Sequence, residues 1–359
     1  MLLLDADNPG ELEDYLKANG WLDSPLEEVE RAGEGNMNLV LRVRTVAGGA
    51  IGSAGSSAVG AADSVIVAAG SSVIVAAGGS VIVKQSRDWV EKYPDIAAPG
   101  DRICVEAAFY SAVAKHRDLA SRMPRLLAFD EDNRVALLED LGEAADFTDV
   151  YHTARIEDSV MNDLWDWLSA LHALRLDTRA MPLLENRAMR ELNHAHIFDI
   201  PLQHDNGLDL DAITPGLAER AAALQADDAY CARVRAYGAR YLDNGTTLLH
   251  GDYYPGSWLK HPDGVKIIDP EFGFFGPAEF DCGVFIAHLH LAGFALEAVD
   301  AAARHYRPPD DFSEDDARVY AGIEIMRRLI GVAQLPLSAH LARKSQLLEL
   351  SRELVLKDQ

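Results

Sequence analysis

The chain has 359 residues, 48% hydrophobic and 25% charged, which is ordinary for a globular protein and long enough for two lobes with cores of their own. Its formal net charge of −24 argues against nucleic acid as a partner, because phosphate backbones are bound through an excess of Lys and Arg. Cys104, Cys231 and Cys282 are odd in number, widely spaced and without a CxxC pair, which favours reduced thiols in a cytoplasmic protein over a disulfide framework or a zinc site.

The opening "MLLLDADNPGELEDYL" lacks a basic region followed by a long apolar run, so it does not read as a signal peptide. "PGELEDYLKANGW" predicts a short helix with Leu12, Tyr15 and Leu16 on one face. A Gly-bearing turn, "GEGNMN", then leads into an alternating strand at Leu39–Val43. Residues 47–79 are rich in Gly, Ala and Ser and read as an expanded hairpin connection, which lengthens at small entropic cost.

Inside that stretch Ser64–Val83 carries no charge over a membrane-spanning length. However, "SVIV" begins at Ser64, Ser72 and Ser80, and the Ala-Ala-Gly breaks between copies predict short strands and turns; no membrane is expected. The third copy differs by ending in a charge, Lys84. "RICVEAAFYSAVAKH" reads as a helix with Val105, Phe109 and Val113 on one side, and "RVALLEDLG" as an apolar strand ending in Glu139 and Asp140. Residues 1–140 are therefore expected to form a strand-rich lobe and 141–359 a mainly helical one. The second lobe holds the amphipathic run "DSVMNDLWDWLSALHALRL" and two helical runs near 313–334 and 337–356.

One stretch interrupts the helices, "LLHGDYYPGSWLKHPDGVKIIDPEFGFFGP". It delivers Asp252 after one apolar strand, and Asp269 and Glu271 after another. A phosphoryl-transfer enzyme needs a carboxylate to orient the acceptor hydroxyl and further carboxylates to hold Mg²⁺ on the nucleotide phosphates. Asp252 suits the first task. Asp269 and Glu271 suit the second, with Ser257 placed to contact the metal or a phosphate. Each Asp alone could be a turn residue; the pair, with His250 and Gly251, points to chemistry.

These strings resemble the aminoglycoside phosphotransferase and choline kinase superfamily, relatives of the protein kinases. Within it, "DPEFGFFGPAEFDCGVFIAHL" (269–289) is most similar to the 5-methylthioribose kinases, as are "GEGNMNLVLRV" (33–43), "SVIVKQ" (80–85), "LLEDL" (137–141) and "EIMRRLIGVAQ" (324–334). The resemblance implies an α+β, bilobal protein-kinase-like fold that uses ATP and Mg²⁺ to phosphorylate a small-molecule hydroxyl. It makes Asp252 the catalytic base and Asp269 and Glu271 the metal ligands. Lys84 would bind the α/β-phosphates, with Glu106 as its ion-pair partner. Gly33, Gly35, Asn36 and Asn38 would cover the phosphates, Glu139, Asp140 and Leu141 would form the adenine hinge, and Arg327 and Arg328 would reach the sugar.

Arg327 shares a helix face with Ile323, Met326 and Ile330, so its head must snorkel or meet an anion, which is either substrate or a structural carboxylate. Tyr253 and Tyr254 stand where the family usually has Leu-His, and they border the expected acceptor pocket. Three rivals follow. An aminoglycoside kinase would want a negative pocket, and a choline-type kinase an aromatic cage, for which Tyr253, Tyr254 and Trp258 are candidates. A nucleotide-binding pseudokinase would have lost Asp252, Asp269 or Lys84, all of which are present. His172 reads as structural, while His288 and His290, two apart, are poorly spaced for a shared site. A homodimer is left open.

Overall fold

The computed structural model of the chain describes residues 1–33, 37–47, 75, 77–337 and 339–357, so the expectations for Gly35, Asn36 and most of 47–79 fall outside it. The chain divides into two units, Met1–Glu143 and Ala144–Gln359.

The first unit is built on five strands: β1 (Leu26–Arg31), β2 (Leu39–Thr45), β3 (Ser80–Gln85), β4 (Leu126–Asp130) and β5 (Val135–Glu139). They pair antiparallel in the order β1-β2-β3-β5-β4. In β2 the residues Leu39, Leu41, Val43 and Thr45 are buried and their neighbours are not, the period of two that puts alternate side chains on opposite faces. Leu39, Leu41 and Val43 join Val81, Val83, Val135 and Leu137, together with Leu12, Tyr15 and Leu16 of helix α1 (Pro9–Ala18), in one core. Val75, from the low-complexity stretch, packs into this core and bridges to Leu22. On the other sheet face Ala136 packs with Ile103 and Cys104 of helix α2 (Arg102–Val113). Alternation sends Lys84 to that second face.

The second unit is mainly helical. Its long helices are α3 (Asp158–His172), α4 (Asp228–Leu242), α5 (Ala278–Ala292), α6 (Glu314–Ile330) and α7 (Leu341–Leu356). The Ser313 side chain caps α6 by accepting from Asp316 N, acidic residues fill its first turn, and Arg327 and Arg328 sit in its last. All three features suit the helix dipole. Gly283 lets α5 approach α6, since a Cβ there would lie 2.5 Å from Tyr320 Cβ and 2.7 Å from the Ala317 carbonyl oxygen. Among these helices lie four short strands, β6 (Thr247–Leu249), β7 (Trp258–Leu259), β8 (Lys266–Ile267) and β9 (Phe274–Gly276). They pair antiparallel as β6 with β9 and β7 with β8. Among the described residues no helix is long and apolar enough to cross a membrane.

Candidate active site

In the first unit, Lys84 Nζ lies 2.9 and 2.8 Å from the two carboxylate oxygens of Glu106, and both side chains are buried. Lys84 is carried by β3 and Glu106 by α2, so strand alternation and the helix face meet in an ion pair. Removing either partner would strand a charge in the interior, which costs about 3–5 kcal/mol. One turn earlier on α2, the fully buried Arg102 donates to the main-chain carbonyls of Arg87, Pro99, Met37 and Trp89. It thereby ties Met37 to the helix that carries Glu106. Gly33 adopts φ +69° and Asn38 is buried.

At the expected hinge the side chains are occupied. Glu139 pairs with Arg125, and Asp140 accepts from Ser80, Arg42 and the Gly142 main chain. Burial works against ionisation of Asp140, yet those donors, Ser80 first, hold its carboxyl below the usual range. The Glu139 and Asp140 side chains are therefore committed to partners within the first unit.

In the second unit the "HGD" loop leaves β6 through a fixed bend. Gly251 has φ +83°, and a Cβ there would sit 2.1 Å from the Phe272 carbonyl oxygen, so only glycine fits. The buried Asp281 of α5 accepts from the main-chain N–H groups of His250 (2.6 Å) and Gly251 (2.9 Å), and His172 and Tyr306 stand behind it. His172 is thus a structural histidine, and Asp281 is the anchor of the loop.

His250 joins this loop to the second acidic one. Its ring accepts from Asp252 N at 3.4 Å through Nδ1 and donates through Nε2 to the Ile268 carbonyl at 2.9 Å, the residue before Asp269. Burial lowers its pKa and keeps it neutral, the form this bonding needs. Ser257 reinforces the joint. Its hydroxyl donates to the Asp252 carbonyl and its own carbonyl accepts from Ile268 N.

Asp269 is held at φ +60°, ψ +51°, in the left-handed region that Asp and Asn tolerate better than most residues. Asn186, itself at φ +46°, grips the chain beyond it by donating to the carbonyls of Glu271 and Gly273. Asp269 is partly exposed and Glu271 is buried, and both offer hard oxygen donors. That donor set suits Mg²⁺, which takes one or two carboxylates and fills its shell with water and phosphate oxygens. Among the described residues there is no group of three or more His, Cys, Asp or Glu able to hold a metal alone.

Asp252 is 19% exposed, and its Oδ1 lies 3.1 Å from Arg328 Nη2. The Nε of Arg328 donates to Glu324 at 2.5 Å, and its guanidinium lies 4.7 Å above the Tyr254 ring. Arg327 Nη1 reaches both Glu324 oxygens at 3.2 and 2.9 Å, while its Nε is buried without a partner. Glu324, Arg327 and Arg328 share one face of α6 because they are spaced i, i+3, i+4. The anion for Arg327 is therefore a carboxylate of the same helix. Burial pushes the Asp252 carboxyl above its ordinary value, against the pull of Arg328 and Arg327.

Two expectations need correction. Tyr253 does not border an acceptor site: it is fully buried, stacks on Trp167 and donates to the Leu164 carbonyl. Trp258 is also fully buried. Tyr254 alone stays beside Asp252, so these three residues form no aromatic cage.

Residues 76–320 match the profile of the phosphotransferase enzyme family, APH. The chain belongs to that family. A methylthioribose kinase from Exiguobacterium sibiricum is 31% identical over 155 residues, covering 34% of this chain and only 40% of that relative. One from Bacillus cereus is 24% identical over 301 residues, covering 71% of this chain and 75% of the relative. A choline kinase from Streptococcus pneumoniae superimposes with a TM-score of 0.51 over 97% of this chain and 99% of that one, at 11% identity. The family fold is protein-kinase-like, with a strand-rich first unit and a mainly helical second.

Proposed function

We propose that this phosphotransferase family member moves the γ-phosphoryl group of ATP to a hydroxyl of a small neutral sugar, with 5-methylthioribose as the acceptor and its anomeric hydroxyl as the nucleophile. The observation that carries this reading is the charge cancellation around Asp252. Asp252 and Glu324 face Arg328 and Arg327 at 2.5–3.2 Å, so the four charges sum to zero. A polycationic antibiotic gains nothing from such a site, and Tyr253, Tyr254 and Trp258 offer a quaternary ammonium no cage. A polyol does gain, because its hydroxyls can donate to the Asp252 oxygens without bringing in a charge.

Asp252, raised in pKa by burial, accepts the proton of the acceptor hydroxyl as it attacks. Lys84, oriented by Glu106, contacts the nucleotide phosphates, and Gly33 and Asn38 lie in the segment that covers them. Asp269 and Glu271 would hold Mg²⁺, which when bound neutralises charge on the phosphoryl oxygens. Ser257 acts from behind, fixing the Asp252 main chain. Most of the acceleration comes from alignment and preset charge.

The test is ADP release from ATP and Mg²⁺ in the presence of 5-methylthioribose, choline or an aminoglycoside. Stimulation by methylthioribose alone supports the reading. Stimulation by either cation in its place, or no acceptor-dependent turnover, overturns it.

A further inference from the structure

Behind the two arginines lies a chain of buried side chains with no role in the chemistry so far. Tyr151 OH lies 2.5 Å from His288 Nδ1, and His288 Nε2 lies 3.2 Å from Glu324 Oε1. Tyr151, His288 and Glu324 are all buried. Burial lowers the His288 pKa to about 4, so the imidazole is neutral near pH 7. A neutral ring has one donor and one acceptor. Glu324 is an anion whose pKa the two arginines hold well down against burial, so it can only accept. The Nε2–H therefore donates to Glu324, Nδ1 is the acceptor, and the Tyr151 hydroxyl donates to it. One tautomer satisfies every member.

We propose that Glu324, aligned by the Tyr151–His288 relay, is the positioning residue that fixes the Arg328 guanidinium against Asp252. Arg328 is held on three sides, by Glu324 at Nε, by Asp252 at Nη2 and by the Tyr254 ring on its face. Among the described residues, Glu324 supplies the full counter-charge from the far side. Without it, two buried guanidiniums share the single carboxylate of Asp252, which becomes a poorer proton acceptor and is drawn from the acceptor hydroxyl. Glu324 touches neither nucleotide nor acceptor in this account; it acts through Arg328. The inference rests on the proposed reaction at Asp252.

The experiment compares wild type with Glu324→Gln, Glu324→Asp and Tyr151→Phe. It reads melting temperature, the kcat and KM for 5-methylthioribose and for ATP, and the ¹⁵N signal of the Arg328 Nε–H. Hydrogen bonds to charged groups set the scale: Glu324→Gln should lower kcat about a hundredfold while the KM for ATP stays within about twofold. Glu324→Asp, keeping the charge, should recover part of the loss. Tyr151→Phe should lower kcat about threefold to tenfold with only a modest fall in melting temperature, and it decides the matter if the Glu324 variants do not fold. A Tyr151→Phe enzyme indistinguishable from wild type, or a Glu324→Gln enzyme that loses ATP and acceptor parameters alike, overturns the proposal. If wild type ignores methylthioribose, the function reading fails and the NMR arm decides: an Arg328 Nε–H signal that moves in Tyr151→Phe supports the relay, and an unmoved one ends it.

Discussion

The two units treat buried charge differently. In the first, Lys84 and Glu106 come from a strand and a helix, and the sheet and helix cores set their 2.8–2.9 Å approach. In the second, one face of α6 supplies Glu324, Arg327 and Arg328, and a loop supplies Asp252, each member sharing a partner with another. A charge joined to its partner across two elements reports whether those elements are in place. A shared cluster can redistribute when a member changes, so it tunes instead of switching. The first arrangement suits holding a phosphate, and the second suits a group whose proton affinity must be set.

Substitutions can break this contrast. Lys84→Met should lower kcat/KM for ATP about a hundredfold to a thousandfold, the scale for removing a preset charge at a transferring group. Glu106→Gln should lower the melting temperature sharply, in line with about 3–5 kcal/mol for breaking a buried pair. If both changes are mild, the pair is not a fixed device. Arg327→Ala should raise the KM for methylthioribose about tenfold or more while sparing that for ATP, since one charged donor is lost and Glu324 keeps Arg328. Equal effects on both substrates would place Arg327 elsewhere in the reaction.

The smallest effect expected is at Asp140. A carboxyl held below its unfolded value adds stability above about pH 4 and loses it as the pH falls through the folded value. Thermal melts of Asp140→Asn should therefore show a deficit of about 1 kcal/mol at neutral pH that closes in strong acid. The KM for ATP should not move, because the side chain is committed to Ser80, Arg42 and Gly142.

Much of the frame was legible because its signals are local. The helix face of Leu12, Tyr15 and Leu16, the alternation of β2 and the amphipathic α3 are set by residues a few positions apart, and all are buried as their periods require. Lys84 was visible as the charge that distinguishes the third "SVIV" from its copies. Asp281, Asn186 and Arg102 were not, because each serves main-chain groups far away in the chain, which no pattern of side chains announces. His288 was set aside on its spacing from His290, a criterion for two residues sharing a ligand. Its partners instead come from Tyr151 and Glu324 on other elements. Glu324 did have a signal: it stands three and four residues before Arg327 and Arg328, the spacing of a helical ion pair. Tyr253 was misplaced because consecutive residues in an irregular loop can point opposite ways. One entered the core and its neighbour met Arg328.

The most direct test is single-turnover transfer from γ-labelled ATP to 5-methylthioribose by wild type and by Asp252→Asn, with ATP affinity measured in both. Labelled sugar phosphate should form in wild type and fall by about a thousandfold in the variant, with nucleotide binding unchanged. A variant that still transfers phosphoryl at the wild-type rate would contradict the assignment of Asp252 and the site built around it.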